Sequence, residues 1–324
     1  MAITIVSYND NLKNDWDEFV KEADNNGFLF YRNFMEYHSD RFLDCSVLLY
    51  DNEKLVGLFP ANKKNSTVYS HQGLTYGGVL LKERNKERKI LECFSTLLSY
   101  YKDQGIDELI YKPIPNYTAK TTCDFEHFVL NLLEAELVKV DTAYVINFSN
   151  EISFQQRRKR SYKKGIKNNT VIAEDNEFNL FWNQILIPNL KGKHDAAPVH
   201  SIEEINLLQQ NFPENIKQIN AYINDEIVAG VTLFYFDRTV HCQYISSNDM
   251  GRNTGAIDYL FYYLIDSLKD QTQYFSLGTA NNLGHDLNIG LGEWKSGWGA
   301  EIHANFHYKL KTDSVKNLHK FIQQ

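Results

Sequence analysis

Residues 219–236 read INAYINDEIVAGVTLFYF, in which apolar and polar residues alternate on both sides of a turn at Asn224-Asp225-Glu226. This pattern predicts a β-hairpin. Residues 47–61 read VLLYDNEKLVGLFPA and repeat the design around Asp51-Asn52-Glu53. Each half of the chain therefore carries one predicted hairpin.

The segments that follow the hairpins are also repeated. In both halves a predicted helix ends in a Lys-Asp-Gln triplet, which starts at Lys102 and at Lys269, and a predicted strand follows. Gly230 stands in the place of Gly57, so the period is close to half of the chain. One similar hairpin could arise by chance, but the ordered series favours a duplicated α/β unit. The second helix has an apolar face suited to packing on a sheet, formed by Ile257, Leu260, Phe261, Leu264, Ile265 and Leu268.

The composition is that of a globular chain of about two domains. Hydrophobic residues make up 43% and charged residues 23% of the 324 residues, which excludes a disordered or fibrous protein. The net charge of −7 argues against a general nucleic-acid binder. The four cysteines lie far apart without a CxxC pair, so neither a zinc site nor a disulfide framework is predicted.

The N-terminal sequence lacks the basic segment and the apolar run of a signal peptide. No stretch approaches the about 20 apolar residues that a membrane span needs. We therefore expect a cytoplasmic protein without a membrane span.

The strongest charge feature lies near the middle of the chain. Residues 153–169 read SFQQRRKRSYKKGIKNN and hold seven cations within eleven residues. Ser153 and Gln156 have capping-box spacing, which predicts a helix start. With Glu151 included the region carries +6, so the remainder carries −13. The segment is either a solvated helix face or an anion-binding site, in which Arg158 is a candidate for binding the donor. The anion would be a nucleotide phosphate, a lipid head group or an RNA backbone.

Two predicted loops contain histidines. Residues 70–79, SHQGLTYGGV, combine three glycines with His71 and Tyr76, which we expect to bind substrate unless the segment is only a turn. The second loop reads KGKHDAAPVHS and holds His194 and His200. These two side chains are candidates for proton transfer, because histidine titrates near neutral pH. A metal would need a further ligand, and the sequence nominates none.

A third segment connects the predicted strand TVHCQYIS to the second amphipathic helix. It contains Gly251, Arg252, Asn253 and Gly255. Backbone N–H groups at a helix start favour a phosphate, and glycine allows the phosphate to approach closely. We therefore predict that these residues bind a phosphate group, although helix-entry loops often contain glycine for other reasons.

The last candidate is the run GLGEWKSGWG at residues 290–299. Six of the 17 glycines fall between residues 278 and 299, together with Trp294 and Trp298. Lys295 stands between the two indoles, where its cation can contact a reacting oxygen or a phosphate oxygen. The alternative is an aromatic packing corner with an outward lysine.

Together these features resemble the GNAT acyltransferase fold, and in particular the Fem-type proteins, which contain two such domains in tandem. The segment RRKRSYKKGIKNN resembles the Arg/Lys-rich helix that opens the second Fem domain. The run at 290–299 is similar to the family's Gly-Leu-x-x-Phe-Lys-x-x-Phe-Gly signature, with Trp in both Phe positions. The resemblance extends over residues 15–310.

The resemblance implies an α/β fold with two tandem GNAT-like domains, each a mixed β-sheet flanked by helices. We expect these domains at residues 1–150 and 151–324, with the donor site in the second. The implied activity is that of a GNAT-type N-acyltransferase. It would move an acyl group from acyl-CoA to an amine, or to a sugar amine or hydroxyl, in cell-envelope or polysaccharide biosynthesis. No metal cofactor is implied.

The resemblance also assigns roles to individual residues. Lys295 matches the signature lysine that faces the donor and the developing oxyanion, and Trp294 and Trp298 flank it as substrate contacts. Gly251, Arg252 and Gly255 fall where GNAT proteins hold pyrophosphate, with Asn253 between them. No Ser-His-Asp or Cys-His arrangement indicates a covalent intermediate, so we expect direct attack of the amine on the donor carbonyl.

The donor remains open between acyl-CoA and aminoacyl-tRNA. Fem proteins transfer from aminoacyl-tRNA to a peptidoglycan precursor, whereas related tandem GNAT proteins use acyl-CoA. The GNAT loop Arg/Gln-x-x-Gly-x-Gly/Ala is incomplete, because Ile257 occupies its last small position. The long heptad-bearing hairpin of tRNA-using Fem proteins is also missing, which favours acyl-CoA. Two further alternatives are a non-catalytic tandem GNAT binding protein and a nucleic-acid-binding module built on the basic helix.

Overall fold

A computed structural model describes residues 3–84, 86–175, 178–194, 196–281 and 286–322. Its strands, in chain order, are β1 (Ile3–Ser7), β2 (Leu43–Asp44), β3 (Val47–Asp51), β4 (Lys54–Phe59), β5 (Asn62–Lys64), β6 (Thr67–Tyr69), β7 (Leu80–Leu81), β8 (Glu108–Tyr111), β9 (Glu136–Asn147), β10 (Val171–Asp175), β11 (Ile216–Ile223), β12 (Glu226–Tyr235), β13 (Thr239–Ser247), β14 (Tyr274–Thr279) and β15 (Glu301–Lys311).

The helices are α1 (Lys13–Glu22), α2 (Arg32–Met35), α3 (Glu87–Asp103), α4 (Phe125–Leu132), α5 (Gln156–Lys167), α6 (Asn179–Phe181), α7 (Ile187–His194), α8 (Ile202–Asn211), α9 (Asp249–Thr254), α10 (Ala256–Leu268), α11 (Ile289–Ser296) and α12 (His319–Ile322). A π-helical turn, Trp182–Leu186, joins α6 to α7.

The chain divides into two compact units. The first contains Met1–Asp141 and Ala304–Gln324, and the second contains Thr142–His303. These bounds differ from those of the predicted domains 1–150 and 151–324, because the C-terminal segment 304–324 belongs to the first unit. Because β9 and β15 each run through a boundary, no linker composition marks it in the sequence.

The first unit contains two groups of paired strands. β1, β3, β4 and β7 pair antiparallel in that order. In the other group β8 pairs antiparallel with β15 and parallel with β6, and β6 continues antiparallel through β5 to β2. The buried face of α3 packs into the core between them, contributing Leu97, Leu98 and Tyr101 among others.

The second unit is built on one mixed set of strands. β10, β11, β12 and β13 pair antiparallel, β13 pairs parallel with β14, and β14 pairs antiparallel with β9. The predicted apolar face of α10 is confirmed, because all six of its residues are buried against these strands. The mixed α/β class is therefore confirmed.

Both predicted hairpins are present, but their registers correct the predicted alignment of the repeat. In β3–β4, Leu49 pairs with Gly57 before a bulge at Val56, and in β11–β12, Ala221 pairs with Ala229 before a bulge at Val228. Gly57 therefore corresponds to Ala229 rather than to Gly230. The sequence alignment is one residue off because the turns contain two residues, Asn52-Glu53 and Asn224-Asp225, rather than three.

Two predicted helix starts have different outcomes. Ser201 caps α8, accepting from the Glu204 N–H at 3.2 Å while the Glu204 carboxylate accepts from the Ser201 N–H at 2.8 Å, so this capping box is confirmed. The capping box predicted at Ser153 is wrong. α5 begins at Gln156 after Gln155, whose side chain makes no cap bond.

Candidate functional site

A cleft of about 450 Å³ opens in the second unit where β13 ends. Its described lining is mostly apolar and comes from the π-helical turn, α7, β13, α9, α10 and α11. The lining residues are Leu186, Asn189, Leu190, Ile245, Ser246, Ser247, Arg252, Ile257, Asn288, Leu291 and Trp294. Among these residues Arg252 is the one that carries a charge, so the cleft suits a largely apolar ligand with an anionic end.

Polar contacts fix the end of β13 at the cleft. Asn189 donates to the Ser246 hydroxyl at 2.8 Å and to the Ser247 carbonyl at 2.7 Å, which ties α7 to the strand. The Arg252 guanidinium donates to the same Ser247 carbonyl and to the Asp249 carboxylate at 2.5 Å. Arg252 is therefore held at the cleft by its neighbours while part of its side chain stays exposed.

The segment predicted as a phosphate loop is mostly helical. Asn248 caps α9 by accepting from the Gly251 N–H at 2.8 Å, and Gly255 alone separates α9 from α10 with a φ of +81°. A Cβ on Gly251 would lie 2.2 Å from the Val228 carbonyl oxygen, so this glycine allows α9 to pack on β12. Asn253 lies exposed on α9. The open loop predicted here is wrong, because α9 begins at Asp249, directly after its Asn248 cap, and occupies the segment up to Gly255.

β13 and β14 separate at the point where Lys295 lies. Their parallel pairing covers Thr239 to His241 only, and β13 then continues to Ser247 without β14. The Lys295 amine donates to the Thr279 carbonyl at 2.6 Å, at the end of β14. A Cβ on Gly278 would lie 3.8 Å from this amine and 3.4 Å from the Cys242 carbonyl oxygen. The amine therefore lies at the opening between the two strands.

Burial makes the amine of Lys295 unusual. Its side chain is 3% exposed, and this desolvation lowers the pKa of Lys295 to about 8. It also lies 5.9 Å from the centre of the Tyr144 ring, within the range of a cation–π contact. On α11, Leu291 and Trp294 line the cleft, and Lys295 is the next residue around the helix. The predicted position of Lys295 beside the site fits this geometry, and its catalytic role stays a prediction.

Trp294 is held by a buried polar network. Its indole N–H donates to the Asp258 carboxylate at 3.0 Å. Arg158 pairs with the same carboxylate, and the Ser161 hydroxyl donates to it at 2.5 Å. Because the Arg158 guanidinium is buried against Asp258, the geometry favours a structural role over the predicted contact with a donor. Trp298 is fully buried against Phe154 and packs in the core rather than lining the cleft.

The two histidines predicted as proton-transfer groups lie near the two ends of the segment that connects α7 to α8. α7 extends through residue 194, so the predicted loop begins later than expected, and the side chain of His194 lies outside the described residues. His200 is buried, and its Nδ1 lies 2.7 Å from the Tyr244 hydroxyl. Burial raises the pKa of Tyr244 to about 12. His200 is not among the described lining residues of the cleft.

His71 and Tyr76 belong to a buried cluster in the first unit. The His71 ring stacks on His38 with centres 5.3 Å apart, and burial together with the neighbouring His38 lowers the pKa of His71 well below its usual range. The Lys112 amine donates to the carbonyls of His71 and Leu74 at 3.0 and 2.6 Å, and desolvation lowers the pKa of Lys112 to about 8. Burial also raises the pKa of Tyr76. The predicted substrate contacts of His71 and Tyr76 stay predictions.

Of the predicted site residues, Arg252 and Trp294 line the cleft, and Lys295 follows Trp294 on α11. The sequence reasoning missed Asn189, Ser246, Ser247 and the apolar wall. One available signal was the polar run Ser246-Ser247-Asn248-Asp249 directly after a strand. The π-helical turn is a second indication of function in the structure, since such turns are frequent at functional sites. No pattern in its sequence, WNQIL, predicts this turn.

Two features are absent from the described residues. No group of three or more His, Cys, Asp or Glu side chains is arranged to hold a metal ion. In the same part of the chain, no helix combines the length and the hydropathy needed to cross a membrane.

Comparison with known proteins identifies the fold. No protein-family model and no curated protein matches the chain. It is similar to the crystal structure of FemX at 11% identity and a TM-score of 0.68, covering 99% of this chain and 100% of that one. L-PGS from Bacillus licheniformis matches at 12% identity and a TM-score of 0.61, covering 96% of this chain and 97% of that one.

A tandem GNAT protein from the clavulanic acid biosynthesis pathway matches at 9% identity and a TM-score of 0.53, covering 96% of this chain and 98% of that one. With FemX, this likeness confirms the predicted fold: the chain folds as a Fem-like tandem GNAT protein. At these identities the likeness establishes the fold alone.

Proposed function

We propose that the protein is an N-acyltransferase whose second unit moves an acyl group from acyl-CoA to an amine. The observation that carries the proposal is the placement of one buried amine, that of Lys295, at the opening between β13 and β14. On α11, Lys295 directly follows Trp294, which lines a cleft whose described lining is apolar apart from a few polar groups and Arg252. The similar fold of tandem GNAT proteins supports the same class of reaction.

The apolar part and the phosphate part of the acyl-CoA donor would contact different sides of the cleft. The apolar wall formed by Leu291, Trp294 and Ile257 suits the pantetheine chain and the acyl group. Arg252 suits a phosphate, with the first turn of α10 beside it, because a helix start attracts anions. Gly251, Asn253 and Gly255 would act by shaping α9 and its junction with α10 rather than as loop ligands.

The chemistry is direct acyl transfer. The neutral amine attacks the thioester carbonyl, a C–N bond forms, and the C–S bond breaks as the thiolate leaves. The proton lost by the amine balances the reaction by converting the leaving thiolate into the thiol of free CoA. A lysine cation at the carbonyl oxygen stabilises the charge that develops in the transition state, and removing one such donor costs about 10²–10³-fold in kcat in known cases. Lys295 is our candidate for this group.

The group that removes the amine proton is proposed from the sequence. His194 and His200 are the candidates. The bond of His200 to Tyr244 gives it a fixed ring orientation. His200→Gln in a turnover assay tests whether it acts, since a general base contributes about 10²–10⁴-fold.

The acceptor would be a small molecule, a glycan or a peptidoglycan precursor that carries an amine, or a sugar amine or hydroxyl, in cell-envelope or polysaccharide biosynthesis. His71 and Tyr76 remain proposed contacts for it. A cytoplasmic location is part of the same proposal.

The second candidate is a Fem-like transfer from aminoacyl-tRNA to a peptidoglycan precursor. The TM-score of 0.68 to FemX, higher than the 0.53 to the tandem GNAT protein, favours it. Both candidates use the same carbonyl chemistry and differ in what carries the acyl group.

The proposal is tested by release of free CoA from acetyl-CoA and longer acyl-CoAs in the presence of a panel of amines. Lys295→Met should lower kcat by about 10²-fold or more, and the exposed control Lys269→Met should leave it unchanged. Release that requires both an amine and Lys295 supports the proposal. Transfer from charged tRNA without any from acyl-CoA would replace it with the second candidate, and no transfer from either donor would indicate a binding protein.

A further inference from the structure

The solvent side of α5 is a continuous basic surface. Of its seven cations, Arg158 alone turns inward, where it pairs with Asp258. At 100° per residue, Arg160, Lys163 and Lys167 lie along the middle of the opposite side of the helix. Arg157 and Lys164 lie along one edge of this stripe, and Lys159 lies along the other. We refer to these six residues as the α5 basic face.

The six cations of the α5 basic face are not neutralised by carboxylates of the described residues. Within the described part of the chain, none of its six cations forms an ion pair with a carboxylate. The chain outside residues 151–170 carries −13, so this face is the strongest concentration of positive charge in an acidic molecule. An extended anionic partner would therefore meet the protein here and be repelled by other parts of its surface.

The helix that carries this face is firmly held on its other side. A Cβ on Gly165 would lie 2.5 Å from the Gly255 carbonyl oxygen, which shows how closely α5 approaches the start of α10. The Tyr162 and Tyr262 rings stack with centres 4.1 Å apart. The basic face is thus presented as one convex, rigid stripe about 15 Å long.

The shape and composition of the stripe favour a lipid surface over RNA. Single-stranded RNA is bound through exposed aromatic rings and a basic groove, whereas the stripe is convex and Tyr162 is stacked against Tyr262. The major groove of an RNA duplex is too deep and narrow to admit a helix. A helix lying flat with four to eight Lys and Arg is typical of binding to anionic lipid head groups. Ile166, 47% exposed beside these cations, adds an apolar contact at the head-group level.

We propose that the α5 basic face docks the protein on a membrane surface that contains anionic lipids. The association is electrostatic and peripheral, and it does not depend on the proposed transfer reaction. Each Lys or Arg near an anionic bilayer contributes a similar increment, so removing three should weaken partitioning by about 100-fold.

The test is co-sedimentation of the full chain with vesicles of phosphatidylcholine, either alone or with about a third of phosphatidylglycerol. The wild type should bind only the anionic vesicles. It should be released as salt rises from about 0.1 M to about 1 M, which shortens the Debye length from about 10 Å to about 3 Å. The variant Arg160→Gln/Lys163→Gln/Lys167→Gln should lose this binding.

A matched control removes the same charge elsewhere. Lys54, Lys63 and Lys64 are exposed cations of the first unit, and their triple change to Gln should leave vesicle binding unchanged. Unchanged circular dichroism and melting temperature show that both variants are folded. Equal losses in both variants would show that net charge alone is responsible and would overturn the proposal. No binding to anionic vesicles by the wild type, or binding to single-stranded or duplex RNA in its place, would also overturn it.

Discussion

A buried lysine amine is costly, and Lys295 shows that cost as a shifted pKa. Its amine has a bond to one carbonyl oxygen, that of Thr279, and is 3% exposed. Desolvation disfavours the charged form and lowers the pKa of Lys295 to about 8. Such a group is still mostly protonated at neutral pH and loses its charge just above it.

This pKa gives a prediction for the pH dependence of turnover. If the charged amine stabilises the oxyanion, the ratio of the wild-type kcat to the kcat of Lys295→Arg should fall as pH rises through about 8, because deprotonation removes the lysine cation. Arginine keeps its charge above pH 12, and titration of the acceptor amine affects both proteins alike, so the ratio reports Lys295 alone. A ratio that rises through the same range would show that the neutral Lys295 amine acts as a base.

A substitution at Arg158 distinguishes a structural role of this residue from a role in binding the donor. The Arg158→Met variant leaves Asp258 buried without its cation, and breaking a buried pair costs about 3–5 kcal/mol. Lys159→Met, the adjacent substitution on the partly exposed side, should change the free energy of unfolding by about 0.5 kcal/mol or less. Urea denaturation measures both. A stable Arg158→Met variant with a raised KM for the donor would restore the role predicted from the sequence.

At the scale of the element, Gly165 determines how closely α5 packs on α10. A Cβ at Gly165 would lie 2.5 Å from the Gly255 carbonyl oxygen and 2.7 Å from the Tyr259 Cβ. Gly165→Ala should therefore force the helices apart and cost about 1–3 kcal/mol.

The same substitution at Gly192 provides the control. Gly192 lies in α7, and a Cβ there would meet no atom within 4 Å. Gly192→Ala should stabilise the protein by up to about 1 kcal/mol, because alanine loses less backbone entropy than glycine in a helix. Thermal unfolding of both variants gives the two signs. Destabilisation of equal size in both would mean that α5 and α10 are not closely packed.

The sequence predicts elements well where one face is apolar and periodic. The hairpins at 47–61 and 219–236 and the buried face of α10 are each visible as alternation or helical spacing. The bulges at Val56 and Val228 are not, because an extra residue in one strand leaves the pattern on both sides intact. The predicted alignment of the repeat is one residue off for a different reason, because each turn contains two residues rather than three.

The segment at 249–255 shows what local pattern cannot supply. Its two glycines indicate a loop when considered alone. In the folded chain the Asn248 side chain caps a short helix, and Gly251 is needed because the Val228 carbonyl lies directly beneath it. The contact partner is more than twenty residues away along the chain, so no local rule can identify the reason for the glycine.

At the scale of the whole molecule, the two-unit architecture was predictable from the repeat and the unit boundary was not. β9 and β15 run through the boundary as ordinary strands. The cleft was predictable only in part. Arg252 and Trp294 stand out by residue type, whereas Leu186, Leu190 and Leu291 become lining residues through tertiary packing.

The most direct measurement is thermal unfolding of the purified chain with and without acetyl-CoA, in the wild type and in Leu291→Trp, which places a larger side chain in the cleft. A ligand at about 100 times its dissociation constant adds about 2.7 kcal/mol of stability. The account predicts that acetyl-CoA raises the melting temperature of the wild type by a few degrees and has little effect on Leu291→Trp. An unchanged melting temperature of the wild type with every acyl-CoA, or an equal shift in both proteins, would contradict the placement of an acyl-CoA donor in this cleft.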